Sequence, residues 1–134
     1  MQYQPFFVVG LDRPGSIICI CDHASNIIPK FWGSEGLGIS KSEMNRHIAF
    51  DLGAKDLTLK LAKLLESPAV VSNFSRLVID PNRGVDDPTL IMKLYDGTII
   101  PKNKVINKEE EKRRLNDYYL SLIHISEPTR QEAI

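Results

Sequence analysis

The sequence contains only two cysteines, Cys19 and Cys21, and they stand two positions apart. Residues two apart in a strand share a face, so this pair is too close along the chain for an ordinary disulfide. Two cysteines are also too few for a zinc knuckle. We therefore expect two buried free thiols in a cytoplasmic protein.

Neither sign of charge is in excess, because Lys plus Arg and Asp plus Glu both count 17. A net charge of zero gives no reason to expect nucleic acid or an anionic membrane as a partner. No apolar run approaches the roughly 20 residues of a membrane-spanning helix. The start, MQYQPFFVVG, lacks the basic segment and long apolar core of a signal peptide. With 134 residues, 43% hydrophobic and 25% charged, the chain has the size and balance of one soluble globular domain.

Three short apolar runs predict the strands of an α/β fold. Residues 16–22 carry three isoleucines and both cysteines, and a continuous apolar run is typical of a strand covered on both faces. Residues 69–72 form a second run after a helical pattern, which predicts a β-α-β unit. A third run, residues 77–79, leads into Asp80. We expect a mostly parallel sheet flanked by helices.

The helix between the first two strands has a recognisable start and end. Ser40 and Glu43 form a capping box. Apolar residues at four-residue spacing continue the pattern as far as residue 66, although Gly53 weakens it, and Pro68 blocks continuation. His47 and Asp51 are four apart, which on a helix makes them surface neighbours.

A second helix begins near the C-terminal end. Asn107 with Glu110 predicts its N-cap. Two pairs of opposite charge four residues apart, Glu109–Arg113 and Glu110–Arg114, indicate an exposed helix. Such pairs support a helix without defining a site.

Residues that can bind a metal or a substrate, or transfer a proton, follow the ends of the apolar runs. In open α/β sheets, ligands bind outside the carboxyl ends of strands. His23 can ligate a metal, and Asp22 beside it can act as ligand, orienting partner or general base. Arg83 has the planar fork that suits a substrate carboxylate, and Asn82 can add a donor. Zinc beside such an arginine suits hydrolysis of an N-acyl amino acid.

The same residues have simpler interpretations. His23 can be a loop histidine, and Arg76 and Arg83 can be solvated or paired with Asp80 and its acidic neighbours. Asp-Pro and Asn-Arg-Gly are ordinary turn sequences. The residues alone leave three classes open: a zinc-dependent hydrolase, a metal-free module that binds a small carboxylate through Arg76 and Arg83, and a structural fragment.

Four segments taken together resemble one family. CDHASNIIP, RHIAFDLGA, SRLVIDPNR and DGTIIPKN follow in this order within residues 16–119. In this combination the chain resembles the N-formylglutamate amidohydrolase family. The resemblance implies an α/β fold related to the zinc carboxypeptidases, a zinc cofactor, and hydrolysis of N-formyl-L-glutamate to formate and glutamate during histidine degradation. The implied partner is a small N-acyl amino acid, and the oligomeric state is left open.

The resemblance also assigns roles to individual residues. His23 matches the first metal-site histidine of the family. Asp22 and Asp51 match acidic positions, and we assign catalytic roles to both. The positions matched on the substrate side are Arg76, Asp80, Asn82 and Arg83. The Asn82-Arg83 pair, by similarity to the carboxypeptidases, is expected to hold the substrate carboxylate.

The likeness to the family ends at Tyr119, so the matching part has about half the family's usual length. We expect residues 1–119 to be the N-terminal part of an amidohydrolase domain and residues 120–134 to be a non-native tail. LSLIHISEPTR, residues 120–130, resembles a translated sequencing adaptor, with residues 131–134 as a barcode, so that His124 has no function. A genuine amphipathic tail is the alternative. With this tail, and with about half of the family's length missing, we expect the chain by itself to be catalytically inactive.

Overall fold

The computed structural model describes residues 3–125. Its three-stranded sheet comprises β1 (Phe6–Val9), β2 (Cys19–Cys21) and β3 (Ala69–Ser72), in the order β1-β3-β2. A separate hairpin pairs β4 (Leu94–Tyr95) with β5 (Thr98–Ile99). The helices are α1 (Lys41–Met44), α2 (Ala54–Leu64), α3 (Pro101–Lys104) and α4 (Lys108–Arg114), and α4 continues as a π-helix over Leu115–Tyr119. A 3₁₀ turn spans Lys30–Trp32.

The β-α-β unit is present, because β2 and β3 pair in parallel and α2 connects them. Small side chains allow α2 to lie close to the sheet: Cys19, Ala62 and Ala69 pack together in a buried cluster. Both cysteines are buried and free, as predicted. The predicted first strand is shorter than residues 16–22, since only Cys19–Cys21 pairs with β3.

A mostly parallel sheet is not confirmed, because the described sheets are mixed. β1 pairs antiparallel with β3, and it arises from an FFVV run to which the sequence analysis assigned no strand. The prediction of a third strand is wrong, because residues 77–79 lie in a turn and the irregular segment that follows it. They are fully buried, yet side chains satisfy two of their carbonyls, those of Leu77 and Val78. A buried apolar run therefore formed here without a strand partner.

The predicted long helix over residues 41–66 is interrupted. Ser40 caps α1 as expected by accepting a hydrogen bond from the backbone N–H of Glu43 at 3.3 Å. The chain then turns through residues 45–53, and Gly53 adopts the left-handed conformation (φ 78°) before α2 begins. The predicted surface pair of His47 and Asp51 is not formed. His47 lies 3.2 Å from Asp96 instead, because the interruption carries Asp51 away to the sheet edge.

The N-cap of α4 is confirmed, since the Asn107 side chain accepts from the Glu110 N–H at 2.8 Å. Glu110 pairs with Arg114 at 3.1 Å as predicted, whereas Arg113 pairs with Glu110 and Asp117 rather than with Glu109. The prediction that this helix is exposed fails at Arg114, which is 1% exposed. Its guanidinium is buried because it hydrogen-bonds the Val78 carbonyl and the Asn103 side chain.

The helix after the π segment continues over residues 120–125. Leu122 is buried there and Ile123 packs on the main core. Residues 126–134 lie outside the described part, so most of the predicted adaptor tail does too, and that interpretation stays a prediction. Among the described residues, no helix has the length and apolar character needed to cross a membrane.

Candidate active site

His23 lies at the carboxyl end of β2, two residues after the strand ends at Cys21. A hydrogen bond joins the turn that contains His23 to the neighbouring parallel strand β3: the Ala24 N–H donates to the Ser72 hydroxyl at 3.1 Å. Asp51 is joined to the same turn, since its N–H donates to the His23 carbonyl at 3.0 Å. The site therefore forms where the ends of two parallel strands meet, as expected for an α/β sheet.

Two carboxylates contact the buried imidazole of His23. Nε2 lies 2.6 Å from Oδ1 of Asp80, and Nδ1 lies 3.3 Å from Oδ2 of Asp51. The shorter contact, to a buried carboxylate, assigns a ring proton to Nε2. Burial lowers the pKa of His23, but the hydrogen bond to Asp80 and the charge of Asp80 outweigh burial and raise it overall. The environment around this ring therefore favours positive charge.

Asp80 is the centre of the hydrogen-bond network. It is 1% exposed and receives four donors: His23 Nε2 at 2.6 Å, Arg76 Nη2 at 2.9 Å, the Asn82 backbone N–H at 2.9 Å and Arg83 Nε at 3.4 Å. Burial raises the pKa of Asp80, but these donors and charges lower it to about 2. With its oxygens so occupied, Asp80 is placed to orient other residues, and the substrate contact that the resemblance implies stays a prediction.

Arg76 and Arg83 differ in their contacts with other residues and in their exposure. Arg76 bridges both carboxylates, with Nη1 3.4 Å from Asp51 and Nη2 2.9 Å from Asp80, and its guanidinium lies 5.3 Å from the Tyr95 ring centre. The Nε of Arg76 is buried and makes no hydrogen bond within the described residues. Arg83 is the more open of the two at 31% side-chain exposure, and its Nη1 donates to Thr89 at 2.7 Å. Arg76 therefore connects the two carboxylates of the hydrogen-bond network, and Arg83 lies at the solvent-exposed edge of that network.

A cavity of about 300 Å³ opens beside this network. Four of the seven predicted site residues line it: Asp22, His23, Asp51 and Asn82. Arg76, Asp80 and Arg83 are outside its lining and form the ion pairs that support it. A larger cavity of about 670 Å³, lined in part by Ile91 and Leu115, contains none of the seven. The titratable groups thus mark the smaller cavity as the candidate site.

Five residues of the cavity wall were not predicted from the sequence, and two of them, Cys21 and Thr58, carry a thiol or a hydroxyl. Cys21 had a signal, since it directly precedes Asp22 at the end of a strand. Thr58 had none: it lies on α2, and its hydroxyl donates to the Ala54 carbonyl at 2.7 Å. Burial raises the pKa of the Cys21 thiol, which favours an inert wall residue over a nucleophile.

Two side chains of the site are spaced like metal ligands, although they do not form a complete set. Within residues 3–125 there is no group of three His, Cys, Asp or Glu side chains arranged to hold a metal ion. The pair of His23 Nδ1 and Asp51 Oδ2 nevertheless has a suitable separation of 3.3 Å. Two ligands about 2.1 Å from one tetrahedral zinc ion are about 3.4 Å apart. This pair can therefore supply two ligands.

The N-formylglutamate amidohydrolase family matches residues 15–121. The chain belongs to this family. A solved gene product of Agrobacterium tumefaciens is similar over 96% of this chain and 50% of its own, with 27% identity and a TM-score of 0.90. The N-formylglutamate amidohydrolase of Ralstonia eutropha, 20% identical, shares the fold over 96% of this chain and 51% of its own, with a TM-score of 0.71. No curated protein matches the chain. The chain thus spans about half the length of these solved structures.

Proposed function

We propose that this chain contributes the metal-binding and substrate-binding side of a zinc-dependent amidohydrolase that cleaves N-formyl-L-glutamate, or a related N-acyl amino acid, to a carboxylic acid and the amino acid. Membership of the N-formylglutamate amidohydrolase family supports the reaction. The observation that carries the proposal for this chain is the His23 ring held between Asp51 and Asp80.

The proton on His23 Nε2 decides where a metal can bind. With Nε2–H donated to Asp80, the neutral ring directs its Nδ1 lone pair at the Asp51 carboxylate, 3.3 Å away. In the charged ring that this environment favours, a proton on Nδ1 separates these two acceptors, and a metal cation that displaces the proton would take the same place. Nδ1 of His23 and Oδ2 of Asp51 would hold a zinc ion, and Asp80 would orient the histidine ring through its bond to Nε2. When bound, zinc polarises the amide carbonyl and lowers the pKa of water.

The remaining roles follow from where the side chains lie. Asp22 lines the cavity beside His23, and we assign it the uptake of a proton during hydrolysis. Asn82 and the partly open Arg83 hold the carboxylate of the amino acid. Arg76 bridges Asp51 and Asp80, and its buried Nε offers one further donor.

Formate release from N-formyl-L-glutamate tests the proposal, measured with zinc on the product of the complete gene. We expect hydrolysis that Asp22→Asn and Asp51→Asn each reduce strongly. Asp86→Asn, on an exposed side chain outside the cavity lining, is the matched control and should leave the rate unchanged. Zinc-independent binding of N-formyl-L-glutamate without formate release would refute the reaction and favour a carboxylate-binding module instead.

A further inference from the structure

The helix that carries Arg114 changes its winding directly after that residue. Leu115–Tyr119 form a π-helix, in which the Leu120 N–H donates to the Leu115 carbonyl five residues back. An α-helix turns about 100° per residue, so positions five apart are about 140° apart around its axis. A π segment, with bonds between positions five apart, brings such positions close to alignment. Arg114 and Tyr119 are both buried, and both bond carbonyls of one loop, so they lie on the same side of this helix.

These two side chains reach the two ends of the site loop, which we define as residues 78–83. Arg114 Nη1 donates to the Val78 carbonyl at 2.9 Å, two residues before Asp80. The Tyr119 hydroxyl donates to the Arg83 carbonyl at 2.7 Å. The loop between these contacts contains Asp80, Asn82 and Arg83. With regular α winding, one helix face could not supply both contacts.

We propose that Tyr119 is a positioning residue for Arg83, and that the π-helix exists in this fold to bring Tyr119 onto the site loop. The Arg83 side chain has its own partners in Asp80 and Thr89, but its backbone carbonyl is held by Tyr119. A fixed backbone restricts where the guanidinium fork can point. Binding of a carboxylate by a planar fork depends on that direction. This inference rests on the proposed function, since it assigns Arg83 to the substrate carboxylate.

Tyr119→Phe removes the donor and keeps the ring. Tyr118→Phe is the matched control: it removes a hydroxyl from the same π-helix at similar burial, and that hydroxyl interacts with Arg113 rather than with the site loop. Amide hydrogen exchange is measured on the chain by NMR. We expect the Arg83 amide, which bonds the Asp80 carbonyl at 3.2 Å, to exchange about five- to tenfold faster in Tyr119→Phe and unchanged in Tyr118→Phe.

Glutamate affinity, measured by calorimetry on the same proteins, provides the second readout. Tyr119→Phe should weaken glutamate binding about five- to tenfold, and 4-aminophenylalanine at position 119, which keeps a donor, should restore it. In an Arg83→Ala background the effect of Tyr119→Phe should fall below about twofold, because the hydroxyl acts through Arg83.

Unchanged Arg83 exchange in Tyr119→Phe, or an equal change in Tyr118→Phe, would overturn the inference. An equal loss of glutamate affinity with and without Arg83 would also overturn it, because Tyr119 would then act elsewhere. A wild-type chain that binds no glutamate while Arg83 exchange still rises in Tyr119→Phe would count against the proposed function alone and would leave the positioning of Arg83 established.

Discussion

Replacing Asp80 by asparagine should destabilise the fold more than any other isosteric change in the site. The amide keeps the shape but loses the charge and turns one acceptor into a donor that faces His23 or Arg76. Hydrogen bonds to charged groups contribute about 1.5–3 kcal/mol each. The substitution weakens two short hydrogen bonds of this kind, at 2.6 Å to His23 and 2.9 Å to Arg76. The sum, about 3–6 kcal/mol, agrees with the cost of about 3–5 kcal/mol for breaking a buried ion pair.

Urea unfolding at pH 7, followed by circular dichroism, measures this loss. Asp51→Asn is the matched control, because Asp51 contacts the same His23 and Arg76, at 3.3 and 3.4 Å, but its side chain is half exposed. Solvent screening limits its contribution to about 1 kcal/mol or less. Equal losses in free energy of unfolding for the two variants would refute the conclusion that Asp80 is the centre of the network.

Three further predictions concern the substrate, the pH dependence and the isolated chain. Arg83→Lys keeps the charge but loses the planar fork, so calorimetry should show clearly weaker N-formyl-L-glutamate binding, and unchanged affinity would make Arg83 a structural residue only. Burial raises the pKa of Glu110, but hydrogen bonds from Arg113 and Arg114 lower it overall. Glu110→Gln should therefore cost about 1 kcal/mol in urea at pH 7, and this loss should shrink as the pH falls below about 4.3; a loss independent of pH would contradict the ion-pair account. The 134-residue chain alone should bind zinc weakly and release no formate, because it offers two ligands where a catalytic zinc takes about three; tight stoichiometric zinc with turnover would contradict this.

Local signals in the sequence predicted local structure well. The capping residues Ser40 and Asn107 bind the backbone N–H groups that their spacing indicates. His23, which follows an apolar run in the sequence, lies at the end of a strand. The run is short and is flanked by Pro-Gly and a polar turn, a pattern that favours a strand over a helix. The caps depend on contacts between residues close in sequence, and the end of the strand was marked by a local change from apolar to polar residues.

Several predictions that needed distant partners failed, although the parallel pairing of β2 with β3 was predicted correctly. Residues 77–79 looked like a strand because burial and apolar character do not reveal whether a carbonyl bonds a strand or a side chain such as Asn103. The burial of Arg114 was visible in principle, since Arg114, Tyr118 and Leu122 recur at four-residue spacing. The π-helix left no such pattern, because it shifts the register within a single turn.

The central claim is that His23 accepts a metal through Nδ1 while Nε2–H remains bonded to Asp80. Nitrogen NMR of the ¹⁵N-histidine-labelled chain during a zinc titration tests it most directly, with His23→Ala to assign the signals. We expect zinc to shift the Nδ1 resonance of His23, Nε2 to keep its proton, and Asp51→Asn to weaken the response. A shift at Nε2 with loss of its proton, or no response of His23 to zinc, would contradict it.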